Sequence, residues 1–268
     1  MEQFFRDNLE MWNDWAVMHA ASEFYDVEGF RNGRCPLYSI ELEEVGDVTG
    51  KSLLHLMCHF GLDTLSWGRR GAKVTGIDFS NTAIDIARNL SKETGIEADF
   101  VCSNIYDLPE KLDTTFDIVF TSAGVLCWLP DLTRWAEIIA RFLKPGGFFY
   151  ILESHPVVNM MLAEWTDATA PELLNSYFST PEPETYQNTG SYAGTETEKV
   201  HTGNEWTHSM GDIVNSLISA GLKIEFLHEY PKIFYQAMPY MVEDDEGYWR
   251  IPGDRIPLMF TLKAAKSV

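Results

Sequence analysis

From residue 50 onward, short runs of apolar residues alternate with longer segments in which apolar positions recur every three or four residues. The short runs predict buried strands, and the longer segments predict helices that bury one face. The predicted strands are 51–57, 72–78, 97–104, 114–122, 148–154, 222–229 and 257–265, and the predicted helices are 62–71, 81–95, 132–143 and 208–221. This alternation predicts an α/β fold with a doubly wound, mostly parallel sheet.

Residues 1–49 lack this alternation and are rich in aromatic side chains. Phe5, Leu9, Trp12 and Ala16 recur at helical spacing, which predicts an amphipathic helix that packs on something larger. We therefore expect an N-terminal helical segment over 1–49 that closes a site on the main domain, residues 50–268.

Two segments interrupt the alternation in the second half of the chain, residues 155–206 and residues 230–256. The first is rich in Thr, Pro and Glu, and it is too long for a simple loop in a compact domain. Its composition also fits a disordered linker, but its aromatic residues favour an ordered cap. Tyr186 and Tyr192 flank Asn-Thr-Gly, which predicts a hairpin turn. We expect both segments to be cap insertions on the substrate side.

Composition and charge limit the classes of function. The formal net charge of −20 repels phosphate backbones, so we expect no nucleic-acid partner. The chain has no apolar run of transmembrane length, and its N-terminus lacks the basic start and apolar stretch of a signal peptide. We therefore expect a cytoplasmic protein without membrane association. The four cysteines form no C-x-x-C pair, which predicts reduced thiols rather than a disulfide framework.

The stretch His-Leu-Met-Cys-His, from His55 to His59, raises the question of a metal site. Zinc proteases with His-Glu-x-x-His carry both histidines on a helix beside a glutamate base, but Leu56 takes the glutamate position here. His55 lies in a predicted strand and His59 in the turn after it, so helical spacing does not bring them together. A c-type haem site needs a further cysteine that this stretch lacks. We expect no metal.

The same stretch fits a nucleoside-binding turn better. A strand ends near Met57, a helix begins near Leu62, and the next strand ends in Asp78, about twenty residues after the turn. In such a unit the turn and the helix N-terminus face the ligand, and the acid accepts hydrogen bonds from the ribose hydroxyls. The dinucleotide fingerprint needs three glycines, whereas this chain offers Met57, His59 and Gly61, which suits a ligand without a pyrophosphate.

Segment 50–155 resembles the class I S-adenosylmethionine-dependent methyltransferases. The first motif of that family usually reads V-L-D-L-G-C-G-x-G, and the chain reads L-L-H-L-M-C-H-F-G over 53–61. The later motifs follow in order, as VTGIDFS (74–80), FVCSNIYDLP (100–109), FDIVFTSAGVLCWL (116–129) and LKPGGFFYILE (143–153). With the final helix and closing strands, the resemblance covers about two thirds of the chain. It is nearest to uncharacterised bacterial small-molecule methyltransferases with Cys-His-Phe-Gly in the first motif.

The resemblance implies a Rossmann-like, seven-stranded sheet with an antiparallel last strand, S-adenosylmethionine as cofactor, no metal, and a small-molecule acceptor. The implied cofactor contacts are His55, Met57, His59 and Gly61 at the turn, Asp78, Phe79, Asn104 and Ile105 at the ribose and adenine, and Thr121 and Ser122 at the methionine end. In these roles Asp78 binds the ribose diol, Phe79 lies against adenine, and Asn104 contacts the adenine amino group. His55 replaces the family's first-motif acid, and we hypothesise that it holds the cofactor carboxylate.

The resemblance also suggests residues on the acceptor side. His155 follows the fifth predicted strand, where some relatives carry a base, and Tyr25, Tyr38 and Trp128 are candidates for closing the substrate pocket. A base is needed only if the acceptor must lose a proton. Two other readings stay open, an NAD(P)-dependent oxidoreductase and a non-catalytic cofactor-binding or interaction protein on a methyltransferase scaffold. The sequence leaves open the acceptor, its reacting atom and the oligomeric state, a homodimer included.

Overall fold

The computed structural model describes residues 1–161, 172–193 and 196–268. The helices are α1 (Glu2–Ala21), α2 (Val27–Arg31), α3 (Ser39–Val45), α4 (Leu62–Arg69), α5 (Asn81–Thr94), α6 (Leu108–Lys111), α7 (Leu132–Phe142), α8 (Pro156–Met161) and α9 (Met210–Ser219), with 3-10 helices at Ile105–Asp107 and Leu126–Trp128. The strands are β1 (Ser52–Leu56), β2 (Lys73–Asp78), β3 (Ala98–Cys102), β4 (Phe116–Thr121), β5 (Leu143–Ser154), β6 (Glu184–Gly190), β7 (Glu196–Glu205), β8 (Leu222–Tyr230), β9 (Val242–Glu243), β10 (Trp249–Arg250) and β11 (Met259–Lys266).

One seven-stranded sheet organises the chain, in the spatial order β3-β2-β1-β4-β5-β11-β8. The strands β1 to β5 run parallel, and β11 lies antiparallel between β5 and β8. The chain moves outward from β1 to β3 and then returns to β4 on the other side of β1. The loops after β1 and β4 therefore lie next to each other at the C-terminal edge, where open α/β sheets bind ligands. The predicted sheet, with its antiparallel last strand, is confirmed.

Apolar side chains cover both faces of the sheet. On one face, the predicted apolar side of α7 is buried, and its Trp135 packs edge-on against Phe149 of β5. On the other face, Trp67 of α4 packs against Phe120 of β4, with ring centroids 5.5 Å apart. Because β1 is buried between these layers over nearly its whole length, it holds the turn that follows it in a fixed position.

The N-terminal helix α1 forms where the sequence predicts it, and Ala16 of the predicted stripe is fully buried, but the buried side extends beyond that stripe. Asn8, Trp15 and His19 are buried, whereas Trp12 of the predicted apolar stripe is only half-buried. The reason is that α1 packs against both α5 and β7, so polar residues on its flank are enclosed as well. Asn8 is satisfied there, because its side chain exchanges hydrogen bonds of 2.9 and 2.8 Å with the backbone of Asn204.

The strands β6 and β7 form an antiparallel pair within the predicted cap, which we call the cap hairpin (184–205). The predicted turn at Asn-Thr-Gly is wrong, since Asn188 and Gly190 pair with β7 residues and the turn follows Gly190. Two parts of the predicted cap, 162–171 and 194–195, lie outside the described residues. Within the described ranges, no helix combines the length and apolarity needed to cross a membrane.

Candidate active site

The turn after β1 alternates ordinary and left-handed backbone. Met57, His59 and Gly61 have φ angles of 57°, 51° and 83°, at the positions where the G-x-G-x-G pattern would carry glycines. The turn is held by Cys58 N–H, which donates to Ile77 O at 2.8 Å, and by Gly61 N–H, which donates to Cys58 O at 2.9 Å. A side chain at positive φ costs about 1–2 kcal/mol. The turn thus keeps a geometry that usually needs glycine, with larger side chains in place.

This strain predicts an unusual order of stability at position 57. We expect the free energy of unfolding of Met57→Gly to be about 1 kcal/mol higher than that of Met57→Ala. The reason is that alanine carries a Cβ in the left-handed region and glycine does not. At Leu9, in the middle of α1, we expect the reverse order by about the same amount, since glycine weakens helices. Urea unfolding followed by tryptophan fluorescence measures both pairs. Equal or reversed values at position 57 would contradict the strain.

Asp78 ends β2 directly beside this turn. Its carboxylate accepts backbone hydrogen bonds from His59 N–H at 2.8 Å and from Ser80 N–H at 2.9 Å. Burial raises the pKa of Asp78 to about 7, although the backbone N–H groups of Ser80, His59 and Phe79 oppose that shift. The carboxylate therefore links the turn to the start of α5, and a small change of environment decides whether it is ionised.

His55 lies at the centre of a buried polar network under the turn. Its Nδ1 is 2.8 Å from Thr64 Oγ1 and its Nε2 is 3.1 Å from Ser122 Oγ, so β1, α4 and the end of β4 are joined. Ser122 in turn hydrogen-bonds Asp63, whose pKa burial raises to about 6. Burial lowers the pKa of His55 to about 3, so this imidazole is neutral. Both ring nitrogens already have protein partners, and the predicted contact with a cofactor carboxylate stays a prediction.

A chain of hydrogen bonds joins the turn to α1 and to the cap hairpin. His59 Nε2 is 2.9 Å from His19 Nδ1, and the Tyr192 hydroxyl is 3.5 Å from the same nitrogen. Tyr192 also exchanges a short hydrogen bond with the Tyr25 hydroxyl. Burial lowers the pKa of His19 to about 4, and it lowers the pKa of His59 well below its usual range. Two neutral histidines therefore face each other here, as donor and acceptor.

Trp12 connects this chain to the loop after β4. Its ring centroid lies 5.2 Å from that of His59 and 5.3 Å from that of Trp128. The Trp128 indole N–H donates to Gly124 O at 2.9 Å, which fixes the ring against its own loop. The structure thus brings His59, Tyr25 and Trp128 together through side chains of α1.

The remaining predicted cofactor residues line the same edge of the sheet. Asn104 follows β3, and its Oδ1 accepts from Tyr106 N–H at 3.0 Å, so it caps the first 3-10 helix. Ile105 is buried and Phe79 is half-buried. Thr121, at the end of β4, is fully buried, and its Oγ1 has no hydrogen-bond partner among the described residues.

Two predicted residues do not join this group. Tyr38 packs near Phe234 and Tyr248, with ring centroids 5.5 and 6.1 Å away. His155 is buried, its Nε2 lies 2.9 Å from Glu229 Oε1, and its Nδ1 accepts from the Val157 N–H at 3.2 Å. Since both ring nitrogens are engaged, the geometry gives no support to His155 as a base, and that role stays a prediction.

Several residues of this region were missed by sequence reasoning. His19 and Trp12 lie on a helix whose neighbours are set only by tertiary packing. Glu153 did carry a signal, because it is an acid at the end of a buried strand. Its carboxylate accepts from Gly124, Val125, Leu126 and Ser154 N–H groups at 2.7–3.2 Å, which fixes the loop after β4.

Two cavities open elsewhere on the surface. One, of about 520 Å³, lies beside α7 and α9, and the other, of about 380 Å³, lies beside α8 and residues 251–256. None of the predicted site residues lines either cavity. The site is therefore defined by the turn, Asp78 and the aromatic cluster rather than by cavity size. Within 1–161, 172–193 and 196–268, no group of three or more His, Cys, Asp or Glu side chains is arranged to hold a metal.

Residues 54–151 match a protein family described as "Methyltransferase domain". Among curated proteins, the chain is 32% identical over 137 residues to a ubiquinone biosynthesis O-methyltransferase of Photorhabdus laumondii, covering 48% of this chain and 55% of that protein. It is 30% identical over 141 residues to the protein of the same name from Saccharophagus degradans, covering 51% and 59%. The chain thus spans little more than half the length of the curated relatives it matches.

Solved structures share the fold over most of the chain. A "putative S-adenosylmethionine dependent methyltransferase" from Listeria monocytogenes has a TM-score of 0.59 at 19% identity, with 85% of this chain and 97% of that one covered. An S-adenosylmethionine-dependent methyltransferase from Clostridium acetobutylicum has a TM-score of 0.59 at 14% identity, with 96% and 100% covered. At such identities these likenesses establish the fold alone.

Proposed function

We propose that this chain is a class I S-adenosylmethionine-dependent methyltransferase that transfers a methyl group from S-adenosylmethionine to a small-molecule acceptor, since residues 54–151 match a methyltransferase domain and the curated relatives are named as methyltransferases. The observation that carries the proposal is the pairing of the left-handed turn with Asp78, whose carboxylate accepts the His59 N–H at 2.8 Å. This is the arrangement that a nucleoside-binding unit needs, an acid at the second strand tip beside a tight turn.

The residues present fit the cofactor. Asp78 would bind the ribose hydroxyls, since a carboxylate that accepts two backbone hydrogen bonds has lone pairs left for more. Phe79, Asn104 and Ile105 would form the adenine side. Thr121 would face the methionine end, and its buried hydroxyl has no hydrogen-bond partner among the described residues. When bound, the cofactor supplies a methyl group already activated by the sulfonium charge.

The chain's own task is then to orient the acceptor and to exclude water. Trp12 and Trp128 pack edge-on at 5.3 Å, and Tyr25 and Tyr192 share a hydrogen bond, so side chains of α1, the β4 loop and the cap hairpin enclose one side. We assign to residues 1–49, 155–206 and 230–256 the role of closing the site around the acceptor. In the same scheme His55 positions Ser122 and, through it, Asp63.

The partner is proposed to be a small molecule in the cytoplasm rather than a nucleic acid. The net charge of −20 disfavours a phosphate backbone, and the exposed thiol of Cys35 is suited to a reducing compartment. The relatives are named as O-methyltransferases of ubiquinone biosynthesis. The family match ends at residue 151, before the cap hairpin, so the acceptor class is argued from this chain's own residues.

Cofactor choice tests the proposal directly. We expect S-adenosylhomocysteine at about a hundred times its Kd to raise the free energy of unfolding by about 2–3 kcal/mol, and we expect NAD and NADP to leave it unchanged. Thermal unfolding with each compound measures this, and transfer of radiolabelled methyl to a metabolite panel tests turnover. Stabilisation by NAD or NADP instead would favour an oxidoreductase. Binding without transfer to any of the panel would favour a non-catalytic cofactor-binding protein.

A further inference from the structure

Glu205, at the end of β7, carries a largely enclosed carboxylate. The Tyr186 hydroxyl donates to its Oε1 at 2.5 Å. No lysine, arginine or histidine among the described residues forms an ion pair with it. Burial raises the pKa of Glu205, the Tyr186 hydrogen bond opposes this, and the charge of Glu184 adds to it. An enclosed carboxylate of this kind lacks a cation to balance it.

Glu205 lies beside the loop that follows β4. Trp206, the next residue, donates its backbone N–H to Cys127 O at 2.7 Å, which ties the end of β7 to the second 3-10 helix. Burial raises the pKa of the Cys127 thiol, and the charges of Glu205 and Glu153 raise it further. The carboxylate therefore lies near the β4 loop, and Glu184 is its partner in the β6–β7 pairing.

Tyr235 and Glu153 are further titratable groups in this region. Burial raises the pKa of the Tyr235 hydroxyl to about 12, and the charges of Glu153 and Glu205 add to that shift. Glu153 is already satisfied by the backbone N–H groups of the β4 loop, two of them at 2.8 Å. Glu205 differs from Glu153, because its hydrogen-bond donor is the Tyr186 hydroxyl rather than a set of backbone N–H groups.

Trp206, the residue after Glu205, is hydrogen-bonded to the β4 loop, and aromatic contacts lead from that loop to the cofactor turn. Trp128 follows Cys127 in the β4 loop, its ring contacts Trp12, and Trp12 contacts His59. Burial raises the pKa of the Tyr192 hydroxyl, and the nearby Cys127 side chain adds to that shift. Aromatic faces attract ammonium ions, particularly where water is excluded. A carboxylate that is hydrogen-bonded to Tyr186 and next in sequence to Trp206, which binds this aromatic loop, has the chemistry of an ammonium-binding site.

We propose that Glu205 binds an acceptor that carries a primary or secondary amine, and that it accepts the amine's proton before methyl transfer. This inference rests on the proposed methyl transfer and names the class of acceptor. An ammonium ion balances the Glu205 charge and lies against the aromatic rings, whereas a neutral alcohol or phenol leaves the carboxylate without a counter-ion.

The step balances in atoms and charge. One N–H proton of the ammonium moves to Glu205, which frees the nitrogen lone pair. The lone pair forms a bond to the methyl carbon, and the carbon–sulfur bond breaks with its electron pair left on sulfur. The products are a methylated ammonium ion, a neutral thioether and protonated Glu205, which returns its proton to solvent when the product leaves. Tyr186 positions the carboxylate through its hydrogen bond.

The test compares two probes of one shape on protein saturated with S-adenosylhomocysteine. At about pH 7.5, 2-phenylethylamine is an ammonium ion and 2-phenylethanol is neutral. We expect titration calorimetry to give an affinity about tenfold higher for the amine with the wild-type protein. Glu205→Gln, which removes charge and keeps shape, should bring the two affinities within about threefold. Glu198→Gln, at an exposed acid on the same strand β7, is the matched control and should keep the preference.

The outcomes separate this inference from the proposed function. Failure to bind S-adenosylhomocysteine, measured first, overturns the methyltransferase itself. Cofactor binding with equal affinities for the two probes, with tighter binding of the alcohol, or with no binding of the amine overturns only the amine assignment. Methyl transfer to 2-phenylethylamine should fall about a hundredfold in Glu205→Gln and stay unchanged in Glu198→Gln. The proton-accepting role is overturned if Glu205→Gln transfers the methyl group as fast as the wild type does. It is also overturned if the wild type binds the amine and transfers no methyl group to it.

Discussion

Replacing Asp78 with asparagine is expected to weaken the binding of S-adenosylhomocysteine by about 30- to 150-fold, or about 2–3 kcal/mol. The ionised carboxylate would accept two charge-assisted hydrogen bonds from the ribose, and the amide keeps only one acceptor oxygen. That oxygen still reaches the His59 N–H, which the carboxylate accepts at 2.8 Å, so the turn keeps its tie to β2. Titration calorimetry at about pH 8 measures the loss.

Asp99 supplies the matched control, because it is an exposed acid on the adjacent strand β3. Asp99→Asn should bind S-adenosylhomocysteine as the wild type does. The pH dependence gives a second readout: with the pKa of Asp78 near 7, wild-type affinity should rise about tenfold between about pH 6 and pH 8. Asp78→Asn should remove that rise. If Asp78→Asn binds S-adenosylhomocysteine at about pH 8 with an affinity within about threefold of the wild type, Asp78 does not bind the ribose.

The central part of the fold could be predicted from sequence, because its signals are local. Alternating apolar runs and helical spacing place β1 to β5 and α7, and the buried β1 needs no partner to be identified as a strand. The antiparallel position of β11 came from family resemblance rather than from periodicity. The cap hairpin turn was misplaced because Asn-Thr-Gly occupies a strand position, where pairing with β7 overrides the local turn preference.

The candidate site divides in the same way. Asp78 and the turn were predictable because they belong to one βαβ unit, where about twenty residues fix their relation. The contact between His19 and His59, 2.9 Å apart, joins residues 40 positions apart and depends on how α1 docks. Glu205 depends on the docking of the cap hairpin, and no spacing rule marks it. Side chains that are brought together by separate elements carry no sequence periodicity, so only a structure reveals them.

Acid should destabilise the wild-type protein through His55, and His55→Gln should remove that contribution. Burial lowers the pKa of His55 to about 3, so between about pH 6.5 and pH 3 only the unfolded chain takes up this proton. A group whose pKa is lowered by folding opposes the folded state as pH falls through that window. From pH 7 to about pH 4.5 the wild type should therefore lose about 2 kcal/mol more than His55→Gln. Urea unfolding at both pH values measures the difference.

The control must separate the loss of the titrating imidazole of His55 from the loss of its hydrogen bonds. Thr64→Val removes the hydroxyl 2.8 Å from His55 Nδ1 but leaves the imidazole able to titrate, so it should be less stable at pH 7 and keep the wild-type acid loss. Asp63 and Asp78 act in the opposite direction, because their raised pKa values of about 6 and about 7 make folding more favourable as pH falls. The total acid response is therefore shallow, and only the difference between variants isolates His55. An identical acid loss in His55→Gln and the wild type would show that the imidazole takes up its proton in the folded state.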